Sequence, residues 1–426
     1  MRLFRRRAVG YVIACGVCAA VVLGAWRHVN GDAEAPCSVS AGTPTGRMRM
    51  EILVDSGEFM TRLEQDLRQA QARVAVQTMS FEGDSAGDQL AAALTSCPAP
   101  TRLLLVDSYS RFVVSDKFRF FPKYWRDTEL RHEIRRMRTT LAVLQASGVD
   151  VKLTNPLDPL LIRFMARNHK KMILIDGRVA YIGGVNFCDH NFAWHDMMIR
   201  FESEEVTEFL WEDFLATWRG VNRCAQRDFA GVWLASLDGR RNASILTPVI
   251  RAINGARRRI VVESGYITFP FFRWLRAARA RGVEVVLLTP EMNNKPIVSH
   301  YLLWEATRAR LEIRLYPGRM SHLKAMLIDD ATLVAGSSNF DYISHATQQE
   351  IVAMVRDPAA IEEFRRRVLA PDLVRSKPYT GRVWALGGWP RFVAMKVIGN
   401  AMTGMIRVLD GLMGQPGPES VSEWAG

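Results

Sequence analysis

The chain is poor in cysteine. It has six in 426 residues, and its one Cys-x-x-Cys, Cys15 to Cys18, lies inside an apolar N-terminal run. The usual ligand spacing of a structural zinc site is therefore missing from the body, and no metal and no cofactor is expected. Cys37, Cys97, Cys188 and Cys224 remain, and four thiols admit three pairings in an oxidising compartment. Acidic residues are in deficit as well: 44 Asp and Glu stand against 56 Lys and Arg, a formal net charge of +12. That surplus favours an anionic partner, and charge alone does not separate acidic lipid headgroups from nucleic acid. With 48% hydrophobic and 23% charged residues the chain is neither disordered nor fibrous, and it is long enough for two domains or two fused halves.

Long apolar runs are scarce too, with one exception. Ala8 to Trp26 is almost unbroken and follows Arg2, Arg5, Arg6 and Arg7. At ~1.5 Å per residue it covers close to ~30 Å, the hydrocarbon thickness of a bilayer. A cleaved signal has a shorter apolar core, and the Ala33-Glu34-Ala35 triplet is followed by Pro36, so residues 1–30 read as an uncleaved anchor. The arginines would hold the N-terminus in the cytoplasm and put the body on the non-cytoplasmic side. Residues 31–46, rich in Ala, Gly, Pro and Thr, read as a linker.

What the chain does contain is one stretch written twice. Residues 169–186 read HKKMILIDGRVAYIGGVN and residues 322–339 read HLKAMLIDDATLVAGSSN. Each copy predicts a strand, a tight turn at Asp176-Gly177 or Asp329-Asp330, and a second strand. Residues two apart on a strand share a face, so His169 projects with Lys171, and His322 with Lys324. Asp176 and Asp329 fall an odd number of positions away, which makes them scaffold groups rather than proton carriers. At the far ends, Gly183-Gly184-Val185-Asn186 and Gly336-Ser337-Ser338-Asn339 supply small residues and an amide where a backbone must approach an anion. Two imidazoles, two ammoniums and two amides form a phosphate site in which one imidazole attacks phosphorus and the other protonates the leaving oxygen. A single His-x-Lys in a basic protein is an ordinary surface pair; two complete copies on matching hairpins are not.

The surroundings repeat as well. Arg73–Phe81, Arg102–Asp107 and Gly148–Leu153 predict strands between helices, and Arg259–Gly265, Gly282–Thr289 and Leu311–Tyr316 answer them in order. The expected fold is α/β: two pseudo-symmetric halves, 47–235 and 236–375, sharing one cleft behind the N-terminal transmembrane helix. Residues 108–141 interrupt the first half with Phe118, Phe120, Phe121, Tyr124 and Trp125 among basic residues, a mixture suited to a lid, to stacked bases or to a membrane interface. The tail, 376–426, carries Trp384, Trp389 and several methionines, and reads either as interfacial or as a helix closing the core.

At the repeated residues the sequence resembles the phospholipase D superfamily, whose signature is His-x-Lys-x4-Asp-x6-Gly-Ser-x-Asn, and its flanks resemble most the bacterial cardiolipin synthases. Both copies match except that Gly184 stands where Ser is usual. The resemblance implies a phosphohistidine intermediate, His169, Lys171, Asp176, His322, Lys324 and Asp329 as the catalytic set, and phosphate held by Lys171, Lys324, Asn186, Asn339, Ser337 and Gly184. It further implies that the downstream carboxylates Asp196 and Glu350 orient the imidazoles. His169 is assigned as nucleophile and His322 as acid/base, although the pseudo-symmetry permits the reverse. Ile343 and Gln348 depart from the residues usual in cardiolipin synthases, Arg and Asn, which bears on substrate more than on chemistry. The expected activity is phosphatidyl transfer from an anionic phospholipid to an alcohol or to water, by a single-pass protein of the bacterial inner membrane. The rival expectation is a nuclease of the same superfamily acting on single-stranded nucleic acid.

Overall fold

The computed structural model describes residues 37–40, 48–157, 161–229 and 231–381, short helical pieces between 393 and 410, and residues 416–421. The expected anchor and most of the expected linker lie outside the described residues. Among those described, no helix is long and apolar enough to cross a membrane.

Strand Arg73–Thr78 shows why the core forms where it does. Five of its six residues are buried, and it runs parallel to Thr101–Asp107, which runs parallel to Asp150–Thr154. Strands covered on both faces need such continuous apolar runs. On the other flank the sheet turns antiparallel, through the hairpin Met172–Ile175/Val179–Gly183 to Met197–Glu202 and Arg49–Val54. The second sheet repeats this order. Glu312–Tyr316, Glu284–Pro290 and Arg259–Ser264 are the parallel strands, followed by the hairpin Lys324–Ile328/Thr332–Gly336, then Gln349–Val355 and Val232–Asp238. Both hairpin turns place their two central residues in the left-handed region, Asp176 and Gly177 at φ 52° and 65°, Asp329 and Asp330 at 52° and 56°. Positive φ at both central residues gives the turn the twist of the strands it joins, within loops of three residues between the pairs Ile175–Val179 and Ile328–Thr332.

The two sheets face each other across one apolar core. Leu174 and Ile199 of the first sheet, Leu327 and Ala353 of the second, and Phe209, Phe214 and Phe364 of the helices Glu204–Trp218 and Pro358–Phe364 all belong to it. Each such side chain, fully buried, stabilises by about 1.5–3 kcal/mol. Helices Asp55–Arg68, Ser85–Ser96 and Thr128–Ala146 cover the outer face of the first sheet. The last shows how local sequence sets an element: Asp127 caps it by accepting from the Leu130 amide at 2.9 Å, and Leu130, Ile134, Met137, Leu141 and Leu144 form its buried stripe. Helices Thr247–Gly255, Phe271–Ala280 and Pro296–Arg308 cover the second sheet.

Two expected boundaries move. Ser38–Ser40, inside the expected linker, is a strand paired in parallel with Ala225–Phe229 of the second sheet, and the disulfide Cys37–Cys224 fastens it there. Cys97 and Cys188 stay free. The second sheet thus takes up strand Ala225–Phe229 and most of Val232–Asp238, ahead of the boundary expected at 235/236. In the tail, Asp410 pairs with Arg163 at 3.0 Å and Arg240 at 2.8 Å, and the Tyr342 hydroxyl donates to Asn400 at 2.7 Å. The described part of the tail therefore rests on the body, while Trp384 and Trp389 lie outside the described residues.

Candidate active site

Both hairpins enter the same seam between the sheets. The segments leading into them are stitched across it: the His169 amide donates to the Gln349 carbonyl at 2.9 Å, and the His322 amide to the His195 carbonyl at 2.7 Å. A cavity of about 60 Å³ opens at the crossing, lined by His169, His322, Asn186, Asn339, Tyr109 and Tyr266 among others. That exceeds the ~10–15 Å³ that a single water needs. The room suits a phosphodiester group, with the remainder of any large substrate outside.

The carboxylates pair crosswise. His169 Nδ1 lies 2.9 Å from Glu350, which follows the second hairpin, and His322 Nδ1 lies 2.7 Å from Asp196, which follows the first. Each imidazole is thus oriented by the opposite half. All four side chains are buried. Burial first, then the nearby ammonium groups, depress both histidines, His169 to about 4 and His322 to about 3. Glu350 is held below its usual value: burial opposes this, but the His169 ring that faces it and the Lys171 ammonium prevail. The consistent state is a neutral imidazole that donates its Nδ1–H to a carboxylate and carries a free pair on Nε2.

Lys171 and Lys324 are buried beside the rings. Lys171 Nζ donates to the His169 carbonyl at 2.8 Å, and Lys324 Nζ lies 3.0 Å from both ring nitrogens of His322. Burial pulls their pKa values down, Lys171 to about 7 and Lys324 to about 8. Asn186 donates to Asn191 at 2.7 Å, and the carbonyl oxygen of the buried Asn339 side chain has no partner among the described residues. An anion in the cavity meets imidazoles and amides, with the Lys171 and Lys324 ammonium groups buried beside the two histidines.

Other expected site residues lie elsewhere. Asp176 accepts from the amides of Gln71, Ala72 and Arg73, and Asp329 from those of Arg257, Arg258 and Arg259, each set at 2.8–3.0 Å. Both sit at the end of the sheet opposite the cavity and fasten the loop that starts a central strand, so their place in the catalytic set is corrected to a scaffold position. Ser337 does not face the cavity either: its hydroxyl donates to Glu350. Gly184 occupies the equivalent place behind Asp196, where an added Cβ would come within 2.2 Å of Asp196 Oδ1. The missing Ser is thereby explained, because the Asp196 carboxylate fills its volume.

Three features escaped the sequence reading. Trp194 and Tyr266 pack on His322, with ring centroids 5.0 and 5.7 Å away. His195 bridges Asp55 and Asp372 at 2.7 Å each and stacks on Tyr316; although burial opposes it, these carboxylates raise its pKa to about 9. Lys170, next to Lys171, points the other way into a fully buried pair with Asp213 at 2.8 Å. The only sequence signal for Trp194 and His195 was their position beside Asp196.

Comparison with known proteins agrees with this geometry. A family model described as cardiolipin synthase, PLD-like domain, matches residues 63–218 and 249–369. Cardiolipin synthase B of Escherichia coli (strain K12) is 24% identical over 341 residues, 72% of this chain and 76% of that protein. Cardiolipin synthase 1 of Staphylococcus epidermidis is 24% identical over 371 residues, 80% of this chain and 71% of that protein. Among solved structures, phosphatidylserine synthase of Haemophilus influenzae Rd KW20 shares the fold at 13% identity, with a TM-score of 0.59 over 84% of this chain and 94% of that one.

Proposed function

The chain belongs to the phospholipase D-like cardiolipin synthase family, and from that premise we propose that it is a phosphatidyltransferase working through a phosphohistidine. The observation that carries this reading is the crosswise pairing of two neutral, buried imidazoles with carboxylates of the opposite half. His169 Nε2 attacks the phosphorus of a phospholipid, and the bond to the departing alcohol breaks as that oxygen takes the Nε2 proton of His322, a proton that this ring, neutral in the free protein, takes up from water once the anionic substrate is bound. An acceptor alcohol then gives its proton to His322, attacks the phosphorus and releases His169. Lys171, Lys324, Asn186 and Asn339 stabilise the charge on the transferring group, and Glu350 and Asp196 hold the rings and steady the imidazolium charge as it forms.

The lipid surface is read from the insertion beside the cavity. Phe121 and Trp125 are 53% and 64% exposed, next to Arg119, Lys123 and Arg126, on the same segment that lines the cavity through Val113 and Asp116. Exposed aromatic rings among basic side chains suit an anionic headgroup layer. The apolar run Ala8 to Trp26 is the anchor in this reading, and it holds the body against the bilayer on the non-cytoplasmic side.

The test is mass spectrometry of lipids after incubation of the purified protein with vesicles containing phosphatidylglycerol, beside a His169→Ala control. Cardiolipin and free glycerol, absent in the control, establish the transferase. Phosphatidic acid in their place makes water the acceptor. An unchanged lipid profile overturns the proposal and directs the search to single-stranded oligonucleotides.

A further inference from the structure

A second group of ligating side chains stands at one side of the catalytic cavity, where Glu82, Asp116 and His190 line it and Cys188 lies beside His190. Glu82 follows strand Arg73–Thr78, Cys188 and His190 follow the first hairpin, and Asp116 sits in the turn between Val113–Val114 and Lys117–Phe118. One ligand atom each from Glu82, Cys188 and His190 lies within 4.8 Å of the other two. Cys188 Sγ is 3.8 Å from His190 Nε2, Glu82 is 3.6 Å from His190 Nδ1, and Asp116 Oδ2 is 4.0 Å from His190 Nε2. A tetrahedral ion with bonds of about 2.0–2.3 Å sets its ligand atoms roughly 3.3–3.8 Å apart; Cys188 at 3.8 Å and Asp116 at 4.0 Å from His190 Nε2 stand close to that separation, and Glu82 faces the ring from its Nδ1 side.

Glu82 and Cys188 are buried and His190 is half-buried, so an ion held between them would be largely withdrawn from water. Access exists as well: an open groove of about 650 Å³, lined by Asp84, Glu133 and His190, leads from solvent to the group.

We propose that Glu82, Cys188 and His190, completed by Asp116, form a binding site for a divalent transition-metal ion of the zinc class. The Cys-x-His spacing of Cys188-Asp189-His190 falls outside the Cys-x-x-Cys pattern, so composition alone did not flag it. The site shares the wall of the catalytic cavity but uses none of the His, Lys or Asn side chains of the repeated motif. His190 and Asn191 line the catalytic cavity, and Asn191 holds Asn186, so a bound ion would fasten the loop that carries the phosphate-facing amide. Nothing in this inference depends on which phosphodiester the enzyme uses.

The experiment is titration of the purified full chain, disulfide intact, with Co²⁺, followed by absorption of the thiolate-to-cobalt charge-transfer band and competed with Zn²⁺. The band should saturate at one equivalent, survive Cys97→Ser and vanish in Cys188→Ser. Affinity should fall at least tenfold in His190→Ala and in Glu82→Gln, with folding checked by circular dichroism. Absence of the band, its persistence in Cys188→Ser, or unchanged affinity in both other variants overturns the proposal. Should Cys188→Ser fail to fold, the His190→Ala titration decides: a tenfold loss sustains the site and unchanged affinity removes it.

Discussion

Glu350→Gln is the change that tests the crosswise design most directly. Glu350 is fully buried, accepts from His169 Nδ1 at 2.9 Å and from the Ser337 hydroxyl, and faces the Lys171 charge. As His169 Nε2 bonds to phosphorus its ring becomes cationic, and the carboxylate stabilises a charge that the neutral amide does not. A charge-assisted hydrogen bond contributes about 1.5–3 kcal/mol, which at ~1.4 kcal/mol per decade means a loss of about 10- to 150-fold in the covalent step. The assay is rapid quenching and intact-protein mass spectrometry of the phosphoenzyme, with a natural lipid and with a p-nitrophenyl phosphodiester whose leaving group needs no proton. Glu350→Gln should form the adduct slowly from both substrates. Asp196→Asn weakens the acid His322 and should form it slowly from the lipid yet near normally from the activated ester. If the activated ester rescues Glu350→Gln rather than Asp196→Asn, the two histidines have the opposite roles. If Glu350→Gln keeps turnover within twofold while folded, the reasoning fails.

Further outcomes follow from the same geometry. Gly184→Ser restores the residue usual in the family, but its Cβ would lie 2.2 Å from Asp196 Oδ1, so it should displace the carboxylate from His322 and lower kcat more than tenfold; equal or higher activity would refute the packing argument. His195 has its pKa raised from 6.5 to about 9, so its contribution of about 3 kcal/mol is fully present below pH 6.5 and is lost as pH rises through 9. The stability difference between wild type and His195→Gln, measured by urea unfolding, should therefore shrink from pH 6 to pH 10. Lys171 at about 7 and Lys324 at about 8 are partly neutral at pH 8, and an anion beside them favours the ammonium form. Calorimetry of phosphate binding at pH 8 in two buffers of different ionisation enthalpy should show proton uptake, and a buffer-independent enthalpy would contradict it.

Much of this was legible because the repeat is carried by local rules. Apolar runs on either side of Asp176-Gly177 and Asp329-Asp330 specify hairpins, and strand parity separated those aspartates from the His–Lys face. The sequence could not show that Glu350 serves His169 and Asp196 serves His322. Those residues stand 181 and 126 positions apart, and only the face-to-face packing of two sheets brings them together. The same holds for His195, whose charge rests on Asp55 and Asp372, 140 and 177 positions away. Ser337 was misread because motif spacing reports a residue's place along the strand and not what fills the volume beside it. Ser38–Ser40 was missed because three residues in a Gly- and Pro-rich stretch carry no periodicity, and their partner strand comes from the opposite end of the chain's first half.

The crosswise pairing also sets where charge can appear when substrate enters. With both imidazoles neutral, the buried charges at the seam are Lys171 and Lys324 against Glu350 and Asp196, a balanced set in a site too dry to hold an excess. An arriving phosphodiester adds one negative charge and unbalances it. Proton uptake compensates, first at Lys171 and Lys324, whose pKa values of about 7 and 8 lie well above those of the rings. An imidazolium formed on either ring then rests against the carboxylate of the opposite half, Glu350 for His169 and Asp196 for His322. Neither half alone has this property, since each supplies the imidazole of one pair and the carboxylate of the other. Fusion of the halves around one continuous core is therefore a condition of the chemistry as well as of the fold.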